Sequence, residues 1–323
     1  MTVVVSCGEP AGIGPEVAAK AWDTLRAPML WIGDPRHLPA GTPVAHVSGP
    51  EEAAEAANRA LPVLARDFGP PAVPGRPDPA HAPHIVEVIA EAVRLIREGR
   101  GSALCTAPIA KAALKGGTEF PWPGHTEYLA HLGGDVDVVM MLACEGLRVV
   151  PATIHVALSE VPRLLTPALL ERVLRITYAS LHDDWGLAEP RVAVAGLNPH
   201  AGEGGLMGTE EQTVIGPVLE RLRAEGMRLA GPLPADTMFH EEARTGFDAA
   251  VCMYHDQALI PLKTLDFARG VNVTAGLPFV RTSPDHGTAF GIAGKGMADP
   301  RSMIAALELA GRLSARRGLA WRR

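Results

Sequence analysis

Short apolar runs, each ending in turn residues and followed by a helical segment, recur along this chain, and that alternation restricts the fold most. TVVVSCGEPAGIGPEVAAKAW reads as strand, glycine loop, helix. Pro15 suits the first helical turn, where its missing N–H has no partner to lose. MLWIGD (29–34) is a second buried strand, and SALCTAPI a third that runs into a loop. In HIVEVIAEAVRLIREGR, Ile85, Val88, Ile89, Val93 and Ile96 share one helical face. Beyond Val136 the strands are VDVVMMLA, LRVVPATIHVAL, RVAVAGLNPH and DAAVCMYHD, separated by helical stretches. Strand–helix alternation predicts an α/β fold with mostly parallel sheets. Residues 147–150 and 153–158 are expected as antiparallel neighbours, because no helix fits between them. The proline-rich 61–83 is expected as an irregular surface connection.

A chain of 323 residues exceeds one ordinary core, so two lobes are expected, with one large α/β domain as the alternative. Aromatics are only 5%, so Ala, Val, Leu and Ile must fill the interior. A net charge of −6 gives no basic footprint for nucleic acid. No signal peptide and no bilayer-length apolar run are visible, so the chain reads as cytoplasmic, without a membrane partner. Cys7, Cys105, Cys144 and Cys252 form no CxxC pair and read as reduced thiols.

Three histidines occupy matching places: His155 in or at the end of a strand, His200 just past a strand in a glycine-rich loop, His255 just past another. Ligands of open α/β sheets sit outside the carboxyl ends of strands. Three imidazoles there would suit a divalent metal with an open position for substrate. The plainer reading of each alone is a hydrogen-bonded loop residue. Asp256 adjoins His255, and Asp236 lies in PADTMFH; either could orient a ligand or move a proton.

PWPGHTEYLA offers His125 and Thr126 at a helix start, a reasonable anion site. Lys263, Asn272 and Arg281 could hold a phosphate or carboxylate. GEPAGIGPE contains Gly12 and Gly14 but has Val17 where a dinucleotide fingerprint needs glycine. SPDHGTAFGIAGKGMADP also fails the phosphate-loop pattern, although its glycines would let a backbone approach a ligand.

GEPAGIGPE, TAPIAKAAL, PGHTEYLA, LNPHAGEGG, MYHDQALIPLK and VNVTAGLPFVRTSPDHGTAFGIAGKG, in this order, resemble the 4-hydroxythreonine-4-phosphate dehydrogenase family of pyridoxal phosphate synthesis. The resemblance covers nearly the whole chain. It implies the two-lobed fold of isocitrate and isopropylmalate dehydrogenases, with the active site in the cleft between lobes. It implies a cofactor-side lobe of 1–122 plus 270–323, and a second lobe of 123–269 with the metal ligands and the dimer interface. It implies NAD- or NADP-dependent oxidation of 4-phosphooxy-L-threonine and decarboxylation, by a homodimer with active sites at its interface. The metal (zinc, magnesium or cobalt) would be held by His155, His200 and His255. Substrate positions fall on His125, Thr126, Lys263, Asn272 and Arg281, and cofactor positions on Gly12, His286, Gly287 and Thr288.

Two positions depart from the family pattern. Glu9 stands where Asp is usual. Gly291 stands where relatives commonly carry Asp, which leaves the NAD/NADP choice open. Sister dehydrogenases of threonate or erythronate 4-phosphate, or of a dihydrodiol dicarboxylate, share this fold and chemistry. A cofactor-free metal phosphatase is the alternative from another class.

Overall fold

The computed structural model describes residues 1–320. In chain order its strands are β1 (Val3–Ser6), β2 (Met29–Gly33), β3 (Val44–His46), β4 (Leu61–Ala65), β5 (Ala103–Thr106), β6 (Val139–Cys144), β7 (Leu147–Thr153), β8 (Arg191–Ala195), β9 (Arg228–Leu233), β10 (Ala249–Tyr254), β11 (Val271–Ala275) and β12 (Arg281–Pro284). The chain divides into two compact units, one of Met1–Val138 with Leu277–Gly318, the other built on Val139–Gly276.

In the first unit the strands run β3-β4-β2-β1-β5-β12, all parallel. β1, β2 and β5 are buried along their whole length. Their apolar runs, interrupted only by Ser6 and Thr106 at the carboxyl ends, follow from this, since a parallel strand covered on both faces has little room for polar residues. From β1 the chain passes to β2 on one side, and later returns to β5 on the other. β1 and β5 are neighbours, so the loops that follow them leave the same end of the sheet side by side, the end at which an open parallel sheet binds ligands.

In the second unit the order is β11-β6-β7-β10-β8-β9. β7, β10, β8 and β9 are parallel, while β6 is antiparallel to both β11 and β7. The carboxyl ends of β7, β8, β9 and β10 lead to His155, His200, Asp236 and His255 in turn. Among the described residues no helix is long and apolar enough to cross a membrane.

Three expectations are corrected. Residues 61–65 are not irregular: they form β4, where Leu61 and Val63 are fully buried despite Pro62. Residues 147–153 are one strand, and its antiparallel partner is β6, joined through Glu145-Gly146. Pairing with β6 spans Leu147–Val149 only, so Pro151 sits beyond the hairpin on that side and its missing N–H breaks no bond there. The unit boundaries fall at 138/139 and 276/277 instead of 122/123 and 269/270. The helix His125–Leu132 packs on the helix Ala82–Arg97 of the first unit, with Tyr128 donating to the Val86 carbonyl, and β11 is tied to β6 of the second.

Candidate functional site

In the first unit three loops at strand ends are laced together. The Glu9 N–H donates to the Pro108 carbonyl at 2.8 Å, joining the loops after β1 and β5. The Ile13 N–H donates to the Thr288 carbonyl at 3.0 Å, joining the loop after β12. A Cβ on Gly12 would meet that carbonyl at 2.9 Å, so glycine is what permits this approach. Glu16 and Lys20, on the helix Gly14–Leu25, hold the second glycine-rich stretch. Glu16 Oε1 accepts from the Ala298 N–H, and Lys20 Nζ donates to the Gly296 and Ala298 carbonyls. Beside these loops lies a cavity of about 740 Å³, lined in part by Gly12, Lys20, Arg36, Gly294 and Gly296. The candidate cofactor positions Gly12 and Thr288 are thus in contact, and His286 Nε2 is a buried nitrogen with no hydrogen-bond partner among the described residues.

The departures from the family pattern also become concrete. Glu9 is buried, Oε1 accepts from the Ala11 N–H, and Oε2 has no partner among the described residues; burial pushes its carboxyl above the usual range. A side chain at Gly291 would enter open space.

The anion side of this unit centres on Arg281. Its guanidinium is buried, at 4% exposure, and donates from Nε and Nη2 to Thr106 Oγ1 at 3.1 and 2.7 Å. Burial pulls it down to about 10, still charged at neutral pH but short of the hydration a guanidinium prefers. His125 opens its helix; burial, with help from Arg281 and Lys111, holds its imidazole well below the ordinary value, and its Nε2 has no partner among the described residues. Thr126 follows it in the first turn. Lys111, which sequence reasoning did not single out, begins the helix Lys111–Gly117, and its Nζ lies 2.9 Å from where a Cβ on Gly124 would stand. Two cations, and an imidazole whose Nε2 has no partner among the described residues, are the groups a candidate anion site would use.

In the second unit β7 and β10 are neighbours, and the residues just past them meet. The His155 and His255 rings lie 5.9 Å apart, and a cavity of about 280 Å³ is lined by both, with Tyr254 and Asp256. His255 Nδ1 is 2.7 Å from Asp256 Oδ1, which, when Nδ1 carries the proton, leaves the lone pair on Nε2. Asp236 sits instead in an exposed turn after β9. Lys263 shares the helix His255–Leu265 with His255 and Asp256, and Asn272 lies on β11 opposite Leu142.

His200 stands apart. It follows β8, which adjoins β10 and lies two strand spacings or about 10 Å from β7. Among the described residues no three His, Cys, Asp or Glu side chains are grouped to hold a metal. Its backbone is unusual: φ is positive at His200, Ala201, Gly202, Glu203 and Gly204 in succession. Left-handed geometry costs each non-glycine residue about 1–2 kcal/mol, and His155, at φ 55°, carries the same strain. Strain of this kind concentrates at functional sites. Gln257 links the two regions of this unit, accepting from the Met253 N–H and donating to the Gly196 carbonyl at the end of β8.

The profile of the family described as pyridoxal phosphate biosynthetic protein PdxA matches residues 25–310. A protein named 4-hydroxythreonine-4-phosphate dehydrogenase from Roseobacter denitrificans is 61% identical over 317 residues, 97% of each chain. The crystal structure of a 4-hydroxythreonine-4-phosphate dehydrogenase from Klebsiella pneumoniae is 37% identical, with a TM-score of 0.88 over 97% of this chain and 99% of that one. An isocitrate dehydrogenase from Methylococcus capsulatus, 15% identical with a TM-score of 0.50 over 99% of this chain and 88% of that one, shares the fold alone. With the laced glycine loops, the buried arginine and the strand-end histidines all present in a chain matched over nearly its whole length, the chain belongs to the PdxA family of pyridoxal phosphate biosynthetic proteins.

Proposed function

We propose that this chain catalyses nicotinamide-dependent, metal-dependent oxidation of 4-hydroxy-L-threonine 4-phosphate at C3, with decarboxylation to 3-amino-2-oxopropyl phosphate. The observation that carries the reading is the anion site of Lys111, His125 and Arg281, in a chain 61% identical to a protein of that name. Arg281 and Lys111 neutralise the phosphate, while His125 and Thr126 add directional hydrogen bonds. Lys263 and Asn272 are read as further substrate contacts. The laced loops at Gly12, His286, Gly287 and Thr288, beside the large cavity, are read as the cofactor side. A bound nicotinamide would supply the acceptor for the hydride of C3 while a base took the alcohol proton, and the β-keto acid so formed would lose its carboxylate as CO2.

The donor set of the second unit fits a divalent ion: two adjacent imidazoles, one oriented by a carboxylate. Nitrogen donors favour zinc or cobalt over magnesium, which prefers oxygen. When bound, such an ion supplies Lewis acidity toward the substrate alcohol and the developing enolate oxygen. Asp256 fixes the His255 ring; Asp256 or Asp236 positions the group that accepts the alcohol proton. The homodimer expected for the family draws support from the second unit, where Leu158, Leu206, Ile260 and Phe267 are all exposed. His200, apart from the pair in its own chain, is read as the third ligand, delivered to the His155–His255 pair of a second copy.

The test compares substrates side by side. 4-Hydroxythreonine 4-phosphate should give the highest kcat/KM with NAD or NADP. Higher specificity for threonate or erythronate 4-phosphate, or for a dihydrodiol dicarboxylate, would move the chain to a sister activity. Phosphate release without nicotinamide would make it a hydrolase.

A further inference from the structure

The left-handed run at His200 to Gly204 needs something to hold it, and the structure contains a device built around one carboxylate. Glu211 is buried and begins a single π-type turn, Glu211–Ile215, a local irregularity common at functional sites. Its Oε1 accepts the Asn198 backbone N–H at 2.8 Å, and its Oε2 accepts from Asn198 Nδ2 at 3.0 Å. Asn198 Nδ2 also donates to Glu210 Oε2 at 2.7 Å. Two glycines make room for the carboxylate. A Cβ on Gly202 would stand 2.5 Å from Glu211 Oε2, and one on Gly196 would stand 3.0 Å from Oε1. The loop therefore closes around Glu211 from both ends, with His200 between them.

The geometry points to Glu211, acting through Asn198, as the positioning residue that sets His200 for metal binding. A water-excluded carboxylate directed at the residue two places before His200 is a strong local restraint. It sustains a backbone that would otherwise relax, which is the condition under which strained geometry persists. The inference rests on the reading of His200 as a metal ligand.

The experiment measures zinc binding to the metal-stripped full chain by calorimetry, for wild type, Glu211→Gln, His200→Ala and the double variant. Glu211→Gln keeps one acceptor but turns an amide donor toward Asn198. Its zinc affinity should fall roughly 10- to 100-fold, the usual effect of losing an outer-shell partner. kcat should fall with it, while KM for the phosphorylated substrate moves little. In the His200→Ala background the same substitution should cost no further affinity, because the group it positions is gone. Unchanged zinc affinity in Glu211→Gln, or an equal loss in the His200→Ala background, would overturn the positioning role. Unchanged affinity in His200→Ala would instead remove the ligand reading, and the positioning role with it. Should Glu211→Gln fail to fold, Asn198→Ala is the substitute, since it keeps the backbone N–H bond to Glu211; a loss of roughly 3- to 10-fold is expected there, vanishing again in the His200→Ala background.

Discussion

The two units hold their candidate groups by different means. In the first, backbone hydrogen bonds tie three loops together, and Arg281 and His125 stand on ordinary backbone, unusual only in their electrostatics. Arg281 is a guanidinium at 4% exposure, and His125 an imidazole held neutral. In the second, the histidines stand at strand ends on left-handed backbone at His155 and His200. The first unit concentrates electrostatic cost and the second conformational cost. Removing a functional group should therefore affect stability differently in each.

The largest expected effect lies in the second unit. His255→Ala should lower kcat/KM by on the order of 10³, or about 4 kcal/mol, with little change in melting temperature because the ring is partly exposed. A melting temperature that falls as steeply as activity would mean that His255 is structural. Next comes complementation: dimers pairing one His200→Ala chain with one His255→Ala chain should regain about half of wild-type activity, since one of the two isologous sites is then intact. No recovery would place all three ligands in one chain.

The first unit should answer differently. Arg281→Met should raise KM for the phosphorylated substrate roughly 100-fold, while the melting temperature holds or rises, because a buried charge is replaced by an apolar chain of similar length. A lower melting temperature with unchanged KM would reverse that account.

Acid sensitivity sharpens the contrast. His125 is depressed by burial first, then by Arg281 and Lys111. His37 is pushed down to about 4, by burial above all and further by His81 and Arg36 against the opposing pull of Asp34. Unfolded, both accept protons below about pH 6.5, whereas folded they resist. Their contribution to stability is complete above that pH and is lost as pH falls toward the folded values. His37→Gln should make the decline of melting temperature between pH 6.5 and 4.5 shallower; an unaltered slope would exclude His37 as its source. The smallest effect is expected at Gly291→Asp, whose side chain enters open space. Stability should hold while the NAD:NADP preference moves toward NAD, through a hydrogen bond to ribose and repulsion of a 2′-phosphate.

What the sequence disclosed follows the same division. The ends of β8 and β10 were legible because an apolar run ending in a polar residue marks a strand end, wherever the strand lies in the sheet; the end of β7 was not, because LRVVPATIHVAL reads as two strands, 147–150 and 153–158, and not as the single strand Leu147–Thr153. The spatial order β7-β10-β8 was not legible either, so nothing in the residues said that His155 and His255 would pair while His200 stood off. β4 was hidden because Pro62 and the proline-rich run after it outweighed the two fully buried residues Leu61 and Val63. Lys111 was missed because a lysine at a helix start is ordinarily solvated, and only the absent side chain of Gly124, thirteen positions on, gives it a place. Glu211 was missed for a like reason: a glutamate in TEEQTV reads as a solvated helix start until the glycines at 196 and 202 are seen to close on it.

The most direct test of the central claim is nicotinamide reduction with 4-hydroxythreonine 4-phosphate by the purified chain, before and after removal of bound metal. The account predicts turnover that vanishes on stripping and returns with zinc or cobalt. Turnover that survives complete stripping would contradict the metal role of the strand-end histidines, and no reduction by the metal-loaded chain would contradict the proposed reaction itself.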